Sequence, residues 1–146
     1  MNRLVSHSPQ DTADLAKQVW EEVKPLLGQK AVIIALEGEL GSGKTTFTKA
    51  LAHIMGIKDI VVSPTFTLHE AYYGLDHIDA WRTETSEEVM ALGLERMVTD
   101  KRIIVIEWAE KVKNEIDKFR VQAKIIWIKF QYSPKFNSRR ITVTKI

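Results

Sequence analysis

Apolar residues at Leu15, Val19, Val23 and Leu26 recur three or four positions apart, with polar residues between them. That spacing predicts an amphipathic helix. Its start is marked at Ser8-Pro9-Gln10-Asp11 by a capping Ser, a Pro at the first helical position and an Asp three residues after the cap. Gly28 ends it after about Leu27. The period then changes. Residues 31–36 (AVIIAL) are apolar at consecutive positions, as in a strand covered on both faces. This strand runs into a glycine-containing loop, and a helix over residues 45–55, closed by Gly56, follows. Residues 103–106 (IIVI) repeat the buried-strand pattern and end in Glu107-Trp108.

Between these, residues 60–62 predict a short strand, interrupted at Ser63-Pro64-Thr65 because Pro cannot donate to a ladder. Residues 66–73 and 77–81 read as extended segments turning at Gly74-Leu75-Asp76. Ser86 caps a helical stretch, SEEVMALGLERM, with acids in its first turn. Residues 121–130 and 141–143 form the arms of a C-terminal hairpin around Ser133-Pro134. Strands alternating with helices predict an α/β layered fold with a mainly parallel sheet, flanked by helices and extended by antiparallel strands at the C-terminal edge. A chain of 146 residues suffices for one core, so the expectation is one domain over residues 1–146.

Composition removes several chemistries. There is no cysteine, which excludes disulfides, Cys-based zinc sites and thiol nucleophiles. No apolar run reaches the roughly 18 residues needed to cross a membrane, and MNRLVSHSPQDT lacks the apolar stretch of a signal peptide. A cytoplasmic location is the expectation. The net charge of +2 is unevenly placed. Residues 1–110 hold 11 Lys/Arg against 17 Asp/Glu, or −6, and residues 111–146 hold 10 against 2, or +8. The basic third is either a surface for nucleic acid or an acidic partner, or a solvated face without aromatic interleaving.

The stretch GELGSGKTT (residues 38–46) fits the phosphate-loop pattern G-x-x-x-x-G-K-[ST] at Gly38, Gly43, Lys44 and Thr45. Its context is the required one, a buried strand before and a helix after. Glycines let consecutive N–H groups turn inward, and the helix N-terminus adds its positive dipole end. Lys44 can then reach the terminal phosphates of a nucleotide, and the Thr45 hydroxyl can ligate Mg²⁺. The fold expectation sharpens to the P-loop NTPase type. Such a loop needs an acid at the end of a neighbouring strand to serve the metal or orient the attacking water. Glu107, directly after IIVI, and Asp79 of HIDAWR are the two candidates, with the direct ligand undecided between them. No N-K-x-D is present to read guanine and no L-S-G-G-Q, which argues against a conventional GTPase and an ABC-type ATPase. Arg82 and Arg96 are the only arginines between Lys44 and Arg102, so the Arg-rich lid of a small-molecule kinase is not legible.

Four motifs, GELGSGKTT, SPTFTL, HIDAWR and EWAE, stand in an order and approximate spacing that resembles the TsaE family, formerly YjeE, over residues 12–140. These are small bacterial P-loop ATPases required for N6-threonylcarbamoyladenosine at position 37 of tRNAs that read codons beginning with A. The resemblance implies that Gly41, Ser42, Gly43, Lys44, Thr45 and Thr46 wrap the phosphates of ATP, and that Ser63-Pro64-Thr65 is a switch-like loop with Thr65 facing the γ-phosphate. It implies that Asp79 and Glu107 serve Mg²⁺ and the water, that Trp108 packs at the mouth of the site, and that Thr12 and Arg139 contact the base. It further implies TsaD and TsaB as partners, tRNA met through that assembly, and hydrolysis that resets it. Trp81 departs from the Tyr more usual in the family, replacing a phenol with a donor-only indole. The readings that compete with this one are a small-molecule phosphotransferase and a module in which ATP binding alone switches partner affinity. A last expectation is that Lys135, Arg139 and Arg140 face tRNA or an acidic protein surface.

Overall fold

A strand that the hydrophobic pattern does not announce opens the chain: β1 (Asn2–Ser6). The structure, a computed structural model, describes residues 2–59, 61, 64, 67–133 and 138–145. After β1 the capping signals act as read. Helix α1 (Pro9–Val23) starts with a complete capping box, in which the Asp11 N–H donates to Ser8 Oγ at 3.3 Å and the Asp11 carboxylate accepts the Ser8 N–H at 3.2 Å. The helix stops earlier than Leu27, because Pro25 falls in a 3₁₀ turn at Lys24–Leu26, and Pro has no N–H with which to continue an α-helical ladder.

The remaining elements are β2 (Ala31–Glu37), α2 (Lys44–Ile54), β3 (His69–Tyr72), β4 (Leu75–Asp79), α3 (Ser86–Ala91), α4 (Leu94–Thr99) and β5 (Ile103–Glu107). A 3₁₀ turn at Ala109–Val112, α5 (Lys113–Asp117), β6 (Ala123–Ser133) and β7 (Ser138–Lys145) complete the chain. The predicted SEEVMALGLERM helix is thus two short helices, broken at Leu92-Gly93, and its N-cap is Thr85 rather than Ser86. The turn after β3 falls at Tyr73-Gly74, one residue before the predicted one, so Leu75 and Asp76 are already strand. The strand expected over residues 60–62 and the loop at Ser63-Pro64-Thr65 lie, apart from Val61 and Pro64, outside the described residues.

The seven strands form one sheet in the order β1-β7-β6-β2-β5-β4-β3. Its centre, β6-β2-β5-β4, is parallel, whereas β6–β7, β7–β1 and β4–β3 are antiparallel. The sheet is therefore mixed. The expectation of a mainly parallel sheet with antiparallel strands at one edge is corrected, because antiparallel pairs border both edges. The reason is local: β3 and β4 are joined by a tight turn, which can only connect antiparallel neighbours.

Alternation along β2 divides its side chains between two cores. Val32, Ile34 and Leu36 pack with α1 and α2 on one face. Ala31, Ile33 and Ala35 pack with α3, α4 and α5 on the other. All six are at most 1 % exposed. A strand covered on both faces reads as a continuous apolar run, which is why residues 31–36 and 103–106 were legible. The C-terminal ends of β2, β4 and β5 reach the same edge, since Leu36 pairs with Glu107 and Glu107 with Asp79. That edge carries the site.

Candidate active site

The loop between β2 and α2 is shaped by close approach. A Cβ on Gly38 would lie 2.7 Å from the Phe130 carbonyl oxygen and from Ser42 Oγ, so only glycine fits there. Gly43 has φ 113° and leads straight into α2, whose first turn has no side-chain cap. The N–H groups of that turn are left for a ligand, at the positive end of the helix dipole.

Lys44 opens α2 and is 4 % exposed. Its Nζ folds back into the loop, donating to the carbonyl oxygens of Gly38 and Glu39, the latter at 2.8 Å. The Trp108 ring lies over it, with 4.2 Å from Nζ to the ring centroid. Burial pulls the ammonium below its ordinary pKa, against the attraction of Glu107, Glu110, Asp79 and Glu39. Neutral carbonyls and a ring face are weaker partners for an ammonium than an anion would be.

One helical position on, Thr45 Oγ1 lies 3.2 Å from both carboxylate oxygens of Glu107. Glu107 ends β5, is 2 % exposed, and also receives Thr48 Oγ1 at 3.3 Å and His77 Nε2 at 3.1 Å on Oε1. Asp79, its neighbour across the β4–β5 ladder, accepts the Trp81 N–H at 2.9 Å. Burial holds the Asp79 carboxyl above the usual range; the Glu107 charge pushes the same way, and the Trp81 N–H opposes. Burial likewise raises Glu110, three residues beyond Glu107.

Lys44, Thr45, Asp79, Glu107 and Trp108 line one cavity of about 330 Å³. Of the residues singled out in the sequence, Gly41, Ser42, Gly43, Lys44, Thr45 and Thr46 form its loop side. Asp79 and Glu107 line the strand ends, and Thr12 of α1 and Arg139 of β7 close it opposite. Arg139 donates to the Gly41 carbonyl at 3.2 Å and lies over the Tyr132 ring. Thr65 lies outside the described residues. Trp81 and Trp108 stack at a centroid separation of 4.3 Å, and Arg82 also lines the cavity.

Among the described residues no group of three or more His, Asp or Glu side chains forms a metal cage. The donor set here is a hydroxyl, Thr45, and two carboxylates, Asp79 and Glu107. Mg²⁺ is characteristically held by one or two carboxylates together with substrate phosphates, not by an all-protein cage. The residues therefore fit that ion.

Sequence reasoning gave no site role to five residues. His77, Leu40 and Leu68 stood only as parts of motifs and Ser8-Pro9 only as a helix start, although all but His77 line the cavity. The available signal for His77 was a histidine two residues from Asp79 in a strand, so on the same face.

The family model described as Threonylcarbamoyl adenosine biosynthesis protein TsaE matches residues 6–141. The chain is similar to the tRNA threonylcarbamoyladenosine biosynthesis protein TsaE of Treponema pallidum, 38% identical over 122 residues that cover 82% of this chain and 87% of that protein. It is also similar to the protein of the same name from Bacillus subtilis, 36% identical over 122 residues that cover 81% of this chain and 73% of that one. The crystal structure of Bacillus subtilis YdiB matches with a TM-score of 0.71 at 27% identity, covering 99% of this chain and 85% of that chain.

Proposed function

Since the chain belongs to the TsaE family, we propose that it serves tRNA threonylcarbamoyladenosine biosynthesis as a Mg²⁺-dependent ATPase of the P-loop type, whose hydrolysis resets a TsaD–TsaB assembly. The observation that carries this reading is the convergence of the loop lysine, Thr45, Asp79 and Glu107 on one cavity at the C-terminal strand edge. ATP would lie with its phosphates against the uncapped N-terminus of α2, and Lys44 would exchange the Gly38 and Glu39 carbonyls for phosphate oxygens. Thr45 with Glu107 or Asp79 would hold Mg²⁺, which offsets charge developing on the phosphates. Glu107 orients the attacking water or the metal, and no phosphate acceptor other than water is required. Thr12 and Arg139, which also line the cavity, would meet the nucleoside. The tRNA is met through the assembly.

No side chain in the chain is assigned the role of an arginine finger, so turnover in isolation should be slow and completed by a partner. The test is phosphate release from ATP by the purified protein, alone and then with TsaD, TsaB and tRNA. The expected result is slow release alone and a rise of at least tenfold with partners. In the same assay Lys44→Ala abolishes nucleotide binding, whereas Glu107→Gln keeps binding and lowers release by about 10²–10³-fold. Release that stays flat with all partners present would remove the reset mechanism. Transfer to a small-molecule acceptor would instead make the protein a phosphotransferase.

A further inference from the structure

His77 occupies a core position. On β4 it shares with Leu75 and Asp79 the face toward α2, and it is fully buried. An imidazole at such a place is costly unless its polar atoms are bonded. One of them is: Nε2 lies 3.1 Å from Glu107 Oε1. The other, Nδ1, is buried and has no hydrogen-bond partner among the described residues. A carboxylate can only accept, so Nε2 carries the hydrogen. With that hydrogen on Nε2, the tautomer that has Nδ1 as a bare lone pair avoids burying an unpaired N–H.

The two oxygens of Glu107 are held unequally. Oε1 faces His77, Thr48 and Thr45, whereas Oε2 has Thr45 at 3.2 Å. The hydroxyl protons on Oε1 are contested. Thr48 Oγ1 also lies 3.1 Å from the Lys44 carbonyl, the ordinary back-bond of a helical Thr, and Thr45 is equidistant from both carboxylate oxygens. His77 Nε2–H has no competing acceptor among the described residues, so it is the fixed point of the carboxylate.

We infer that His77 is a positioning residue, whose Nε2–H pins Oε1 of Glu107 and so reserves Oε2, beside Thr45, for the metal or the attacking water. The inference rests on the ATPase reading above and adds to it the residue that sets the orientation of Glu107. Outer-shell donors of this kind typically change metal affinity or activity by about 10–100-fold when removed.

The experiment compares His77→Leu, His77→Gln and His77→Asn with the wild type. The Gln amide nitrogen reproduces the reach of Nε2, and that of Asn reproduces only Nδ1. Three quantities are read: the ATP Kd in EDTA, the added thermal stabilisation by ADP when Mg²⁺ replaces EDTA, and the rate of phosphate release with its Mg²⁺ dependence. His77→Leu and His77→Asn should keep the metal-free Kd within about threefold. They should lose most of the Mg²⁺-specific stabilisation, need about 10–100-fold more Mg²⁺ for half-maximal rate, and be restored by Gln. If His77→Leu does not fold, the Gln–Asn pair decides alone. Gln and Asn variants with the same Mg²⁺ dependence would overturn the inference while leaving the ATPase reading intact. A wild type that neither binds nor hydrolyses ATP would remove both.

Discussion

Asp79 ends β4 opposite Glu107 on β5, and burial holds its carboxyl above the ordinary range, with the Glu107 charge acting in the same direction. A raised folded-state pKa means that the folded protein binds the Asp79 proton more tightly than the unfolded chain does. Stability therefore falls as pH rises from the unfolded pKa through the folded one, and the penalty is complete above it. Asparagine keeps the acceptor for the Trp81 N–H and removes the charge. Asp79→Asn should thus raise the melting temperature of the nucleotide-free protein at neutral pH. The gain should shrink as pH is lowered through the raised folded-state range and vanish below the ordinary carboxylate range, where Asp79 is protonated in both states. Thermal melts of both proteins across pH, without Mg²⁺, check this, and equal curves at every pH would remove the assigned burial penalty. Asp79 was legible in the sequence because a strand-end carboxylate near a phosphate loop has a chemical reason to be there. His77 was not, because its partner Glu107 is 30 positions away and only the β4–β5 pairing joins them.

At the scale of elements, legibility followed the range of the forces involved. The start of α1 was readable because a capping box is made by residues three apart, and both of its hydrogen bonds formed. Ser8→Ala removes the acceptor for the Asp11 N–H and should cost about 1 kcal/mol, a drop of roughly 2–4 °C in Tm for a chain of this size. A calorimetric scan measures it, and an unchanged Tm would mean that water caps the helix equally well. Buried strands β2 and β5 were readable for the same local reason, a run of apolar residues. β1 was not. NRLVS has one buried residue, Ser6, and it is a strand because β7 offers it an antiparallel edge. The break between α3 and α4 was underread because LGLERM continues a helical apolar spacing, and Gly93, at φ 93°, overrides it.

The charge that the folded surface presents differs from its distribution along the chain. In sequence the last third is strongly basic, but folding brings acids to it. Lys129 pairs with Glu37 at 3.0 Å, and Lys145 pairs with Glu22 on α1. Within the third itself, Lys113 and Arg120 share Asp117 and Lys118 meets Glu115 at 3.6 Å, the two acids already counted against its ten cations. Arg139 is turned into the cavity, and Lys111 donates to the Trp81 carbonyl at 2.6 Å. Of the residues expected to face RNA, Lys135 lies outside the described residues and Arg140 has no ion pair among them; Lys124 on β6, which was not one of those expected, has none either. Exposed pairs of this kind are weak, but each sets a competing anion beside the cation that RNA would need. A surface that engaged the full excess of eight charges would lose tRNA affinity with a log–log salt slope near −7 (about 0.9 per phosphate). The folded arrangement leads to a slope shallower than about −3 for the isolated protein, and to tRNA contact made chiefly through partners. Titration of labelled tRNA at several salt concentrations, with Lys124→Glu/Arg140→Glu as the comparison, decides between them. A slope near −7 would show that the surface pairs open on binding and that the basic third is itself an RNA-binding face.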